Sequence, residues 1–149
     1  QRWQVGLECT YHYQDFIHIA LYGHYYHWIN TGIEGKGLDI PLDTYDRPAW
    51  DASLNVRANI NSKWAVYTNN QFIGGSKVLT YTTDNNGNIT FDTTKKKAFI
   101  DLSLGVEYAF NKWLGFYFEL NNYINRKNDI YYGYQTQGIN GVIGVEWKF

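Results

Sequence analysis

Two-residue alternation of apolar and polar side chains, a heavy aromatic load and joints of alternating length predict an all-β, antiparallel fold of about seven strands. The alternation is clearest at 98–110, where Ala98, Ile100, Leu102, Leu104, Val106, Tyr108 and Phe110 are apolar and Asp101, Ser103, Gly105 and Glu107 lie between them. Strand geometry sends these two sets to opposite faces, and helical spacing does not fit them. Aromatic residues make up 19% of the 149-residue chain, with 14 Tyr and 6 Trp, an excess that calls for a dedicated environment.

Taken in order, the predicted strands cover 2–14, 16–29, 50–61, 64–79, 89–110, 114–125 and 131–149. In the first, Trp3, Val5, Leu7, Cys9, Tyr11 and Tyr13 oppose Arg2, Gln4, Glu8, Thr10 and His12. Ile17, Ile19 and Leu21 continue the apolar row in the second, and Trp50, Ala52, Leu54, Val56, Ala58 and Ile60 in the third. The fourth is the weakest, because Thr68 and Asn70 interrupt the row begun by Trp64 and Val66. Leu114, Phe116, Phe118 and Leu120 mark the sixth, and Ile143, Val145, Trp147 and Phe149 the seventh. Tight joints fall at Gln14-Asp15, Asn61-Ser62-Lys63 and Asn111-Lys112. Long polar ones fall at 30–49, about 73–96 and 125–130, the second with Asp84-Asn85-Asn86-Gly87 as a hairpin tip.

Short turns at one rim and long loops at the other are the habit of outer-membrane barrels. The apolar rows also tend to end in Trp, Tyr or Phe, which suits two interfacial girdles. Both features place the apolar face toward lipid and predict a transmembrane β-barrel in the bacterial outer membrane, with the bilayer as partner. A soluble ligand-binding β-barrel shows the same alternation with its apolar face inside, and is the alternative. Negative mean hydropathy does not decide between them, because only every second barrel residue need be apolar.

Composition bears on other classes. The net charge of −1 offers no basic surface for nucleic acid, and the single Cys9 permits no internal disulfide. No run approaches the ~20 apolar residues of a spanning helix. Lacking Met, the sequence is expected to be a processed product or a piece of a longer chain.

Near the C-terminus, Gly144, Trp147 and Phe149 in GVEWKF resemble the β-signal that delivers outer-membrane proteins to the barrel-assembly machinery, with Val142 where that pattern has a polar residue. From about Asp101 onward, the chain resembles the last three strands of TonB-dependent receptors, especially those of Bacteroidetes. Leu120-Asn121-Asn122, Asn125-Arg126-Lys127, Tyr132-Gly133-Tyr134 and Gly138-Ile139-Asn140 carry the likeness, over about a third of the chain. The resemblance implies a barrel of about 22 strands and an N-terminal plug. It further implies import of a scarce large nutrient energised through TonB, with residues 1–149 as the C-terminal part of the barrel. Strand parity is consistent with at least one earlier strand. A small independent barrel of about eight strands, acting as pore or adhesin, is the alternative within the membrane class.

Candidate sites are few. His12 and His18 flank the Gln14-Asp15 turn on the wet face, while His24 is six residues on, about 20 Å at strand rise. Cys9 is on the opposite face, so no metal site is expected. Neither a catalytic triad nor a phosphate-cradling loop is present, so neither enzymatic activity nor a cofactor is expected. Asp101 and Glu107 share a face as acids of a water-filled interior. Tyr22, Tyr25, Tyr26, Trp28, Tyr131, Tyr132 and Tyr134 gather toward the loop-bearing rim. There they suit substrate stacking, on sugar or a haem-like ring, or an interfacial girdle.

Overall fold

A computed structural model of the chain describes residues 1–29 and 43–148. Eleven strands are present among them: β1 (Arg2–Tyr13), β2 (Ile17–Trp28), β3 (Trp50–Asn59), β4 (Trp64–Ile73), β5 (Ser76–Thr83), β6 (Ile89–Lys96), β7 (Phe99–Ala109), β8 (Leu114–Asn121), β9 (Asp129–Tyr131), β10 (Tyr134–Gln135) and β11 (Asn140–Trp147). Seven form one sheet in the order β1-β2-β3-β4-β7-β8-β11, with every neighbouring pair antiparallel. The all-β antiparallel class is therefore present, as an open sheet with β1 and β11 as its edges. Most of the 30–49 joint lies outside the described residues, as does Phe149.

Two predicted strands are interrupted. The stretches 64–79 and 89–110 leave the main sheet at Gly74-Gly75 and Lys97-Ala98, and β5 and β6 pair as a separate hairpin. The row is already broken at Thr68 and Asn70, and the joint expected from about 73 begins at this pair of glycines. A Cβ on Gly74 would lie 2.9 Å from the Trp50 indole nitrogen, and one on Gly75 2.6 Å from the Lys96 carbonyl oxygen. Only residues without a Cβ let the backbone bend this close to its neighbours. The expected tip closes the hairpin, with Asp84 Oδ1 accepting from the backbone N–H of Asn86 and Asn88 at 2.8 Å each and Gly87 at φ 83°.

The last two predicted strands are also shorter. Strand 114–125 ends at Asn121, because Asn122 and Asn125 adopt φ of 48° and 52° and turn the chain off the sheet. The stretch 131–149 divides into the small β9-β10 hairpin, turned at Gly133 with φ 83°, and then β11.

Register follows the alternation. One row on the apolar face runs Tyr13, Ile17, Ala58, Val66, Val106, Phe118 and Ile143 across all seven strands. The opposite face aligns His12, His18, Arg57, Tyr67, Gly105, Glu119 and Val142. Nothing described packs over the apolar face: Leu104 and Phe118 are each 45% exposed and Val145 61%. Among the described residues no large side chain is fully buried, so the sheet has no dry core on either side.

The polar face instead ties itself together. Arg57 donates two parallel bonds to Glu107, at 2.8 and 2.6 Å, across the intervening β4. Tyr67 donates to Glu119 at 2.7 Å across β7. Small residues make these reaches possible, since Ala65 lies buried on β4 and a Cβ on Gly105 would overlap the Tyr67 ring. Gly144 relates to the Tyr117 ring in the same way. A groove of about 930 Å³ lined by Arg57, Asn59, Glu107 and Tyr117 lies toward the short-turn end.

Candidate functional site

The aromatic residues predicted for the loop-bearing rim separate into three groups. Tyr26 and Trp28, near the end of β2, lie on the polar face with His24. They form a ladder: His24 and Tyr26 stack with centroids 6.1 Å apart, and Tyr26 and Trp28 follow at 5.7 Å. Tyr22 shares that face one step further in, between Glu8 and Ser53, whereas Tyr25 stands on the apolar face between Val5 and Trp50. Tyr131, Tyr132 and Tyr134 belong to the β9-β10 hairpin, all exposed. No ring contact among the described residues joins them to the ladder.

Three anchors hold the ladder. Asp51, opposite His24 on β3, accepts from Tyr26 Oη at 2.5 Å and lies 3.0 Å from His24 Nδ1. Trp28 Nε1 donates to the Pro48 carbonyl at 2.8 Å, which fixes the indole plane. Two guanidinium groups then cover the rings. Arg2 Cζ is 5.4 Å from the centroids of both Tyr26 and Trp28, and Arg47 Cζ is 4.8 Å from that of Trp28. These are cation–π distances.

Sequence reasoning found Tyr26 and Trp28 but not His24, Asp51, Arg2 or Arg47 as their companions. Arg2 was within reach, because a short turn around Asp15 sets Arg2 opposite Trp28 in an antiparallel pair. Arg47 was not, since it arrives from the 30–49 joint, whose course no periodicity records.

His12 and His18 are direct cross-strand partners, with their Nδ1 atoms 2.6 Å apart and rings edge-on. Cys9 is exposed and pairs with Leu21 on the other face. Among the described residues no three His, Cys, Asp or Glu side chains converge as metal ligands. Of the two acids noted on one face, Glu107 is held by Arg57, while Asp101 Oδ1 is buried without a hydrogen-bond partner among the described residues.

The assembly-signal residues sit on edge strand β11. Gly144 pairs with Tyr117 and Trp147 with Leu114, Trp147 being exposed. Val142, at the motif's polar position, is exposed opposite Glu119 on the polar face. Phe149 lies outside the described residues.

Comparisons with protein-family models, with curated proteins and with solved structures return no match to this chain.

Proposed function

We propose that the chain is wall of a bacterial outer-membrane β-barrel, the C-terminal part of a TonB-dependent receptor-like transporter that imports a scarce nutrient, with the plug elsewhere in the polypeptide. The observation that carries the reading is the uncovered apolar face. Burying a Val, Leu, Ile or Phe side chain is worth roughly 1.5–3 kcal/mol, so a sheet that leaves rows of them open in water forgoes tens of kcal/mol. Lipid removes that penalty. The polar interruptions fit the same solvent: Thr68 Oγ1 donates to the Ser103 carbonyl at 2.6 Å, and Asn70 Nδ2 to the Leu54 carbonyl at 3.2 Å. Opposite, ionisable side chains pair across strands, as a wet lumen allows.

The membrane role needs further strands beside β1 and β11, since an open edge in hydrocarbon leaves backbone groups unsatisfied. Delivery would run through Gly144, Trp147 and Phe149 to the assembly machinery. TonB coupling rests on the resemblance around Leu120-Asn121-Asn122 and is the part to test by reading the coding sequence upstream of Gln1 for a plug-sized region.

Cys9 offers a direct test of orientation. A polarity-sensitive fluorophore on Cys9, in the full protein in membranes, is expected to emit to the blue and be quenched by brominated lipid. The same label at position 10, in a C9S/T10C variant, is expected to be quenched by aqueous iodide. The reverse pattern, or recovery of the polypeptide from aqueous extract without detergent, would replace this reading by the soluble barrel.

A further inference from the structure

We propose that the loop-bearing end of the polar face binds an anionic group, a carboxylate or a phosphate, between the guanidiniums of Arg2 and Arg47 over Tyr26 and Trp28. Both cations stand over the same indole, so their Cζ atoms are within about 10 Å of each other, the sum of their two distances to its centroid. A guanidinium carries five N–H donors, and contact with an aromatic ring leaves most of them to other partners. Among the described residues neither Arg2 nor Arg47 makes a hydrogen bond or ion pair through those donors. The carboxylate at the ladder, Asp51, is already engaged by Tyr26 and His24.

Two like charges gathered on one ring repel, and an anion beside them reverses that sign. The same geometry argues against a neutral sugar or flat cofactor stacking here, because guanidiniums already cover Tyr26 and Trp28. Arginine on a fixed aromatic surface loses little freedom when it binds, and its fork matches carboxylate and phosphate oxygens. Trp28 is itself fixed through Pro48. The arrangement therefore selects for charge at the ligand's tip and is indifferent to the ligand's body.

The site deepens the transporter reading but is built by the β1-β2 register together with Arg47, whichever way the apolar face points, so the two fail separately. Anion binding by a protein whose Cys9 label reports water would keep the site and sink the barrel; lipid-facing Cys9 without anion binding would do the opposite. The experiment is calorimetric titration of the full protein with citrate and, separately, pyrophosphate, using maltose as the neutral control. Saturable binding of either anion is expected, weakened at high salt, with none for maltose. The stronger of the two names the ligand's group. R2Q and R47Q are expected to weaken binding about tenfold each, the equivalent of one charge-assisted bond. R47K, which keeps the charge and loses the fork, is expected to fall in between. Both arginines are exposed, so these variants should fold, as circular dichroism would verify. Should R47Q not fold, R47K and the salt dependence of the unsubstituted protein decide. No saturable anion binding, or binding unchanged in R2Q, R47Q and R47K, would overturn the proposal.

Discussion

The two ends of the sheet are built on different principles. At the short-turn end, two connections repeat one device a few residues long. Asn61 Oδ1 accepts from the backbone N–H of Lys63 and Trp64 at 2.8 and 3.0 Å, and Asn111 Oδ1 accepts from Trp113 and Leu114 at 2.8 Å each. Each asparagine closes its own turn, and the turn carbonyls then meet the next strand, that of Lys63 accepting from the Ala109 N–H at 2.7 Å and that of Trp113 from the Lys148 N–H at 2.8 Å. At the loop end, asparagines do the opposite and join segments far apart in sequence. Asn128 lends its side-chain amide to Ile100 as a substitute strand, accepting from its N–H at 3.0 Å and donating to its carbonyl at 2.7 Å. Asn122 donates to the carbonyls of Arg126 and Gln137 and accepts from the Arg126 N–H. Among these four asparagines, the exposed Asn61 and Asn111 close local turns, while Asn122 and Asn128, 4% and 3% exposed, reach other segments.

That contrast can be broken. Asn128→Ala strands both backbone groups of the half-buried Ile100, at 1–3 kcal/mol per unsatisfied group, so a loss of about 2–3 kcal/mol is expected. Denaturant unfolding measures it, and hydrogen exchange should show the Ile100 amide opening while those of the short turns stay protected. A loss below about 1 kcal/mol would mean water replaces the splice. Asn111→Ala should cost about 1 kcal/mol, since its turn is exposed and water takes over part of the role. Asn61→Ala should match it, and the double variant should lose about the sum of the two, because the one bond between the turns, from the Ala109 N–H to the Lys63 carbonyl at 2.7 Å, uses neither asparagine side chain. Marked non-additivity would show the two turns to be coupled.

The smallest effect belongs to the β5-β6 tip. Hydrogen bonds from the Asn88 side chain, then from nearby backbone N–H groups, hold the Asp84 carboxyl below the usual carboxylate range. Its folded pKa being depressed, the stabilisation is fully present above the unfolded value near pH 4 and is lost as pH falls through the lower folded value. Exchange of the Asn86 and Asn88 amides should accelerate only in that acid window, after correction for intrinsic rates. Asp84→Asn should remove the dependence.

Much of the strand plan was legible because it is local. Apolar residues at every second position mark β1, β2, β3, β7 and β11, and hence which side each side chain takes. Pairing then follows from the short turns, which is why His12 meets His18. The loop end was legible in parts. The Asp84-Gly87 tip and a joint from about 73 could be read, but the turn at Asn122 could not, because it rests on a backbone conformation that alternation does not record. In the rim cluster, Tyr26 and Trp28 were readable as aromatic residues of a strand end.

By itself the sequence determined the two faces, the turns that carry their own hydrogen bonds and the antiparallel class, since each depends on side chains within one strand or one turn. Tertiary structure alone decided that Tyr67 lies over Gly105, that Asn128 completes Ile100 and that Arg47 meets Arg2 on Trp28. Those meetings join residues tens of positions apart, and their energy exists only once several strands have taken their places.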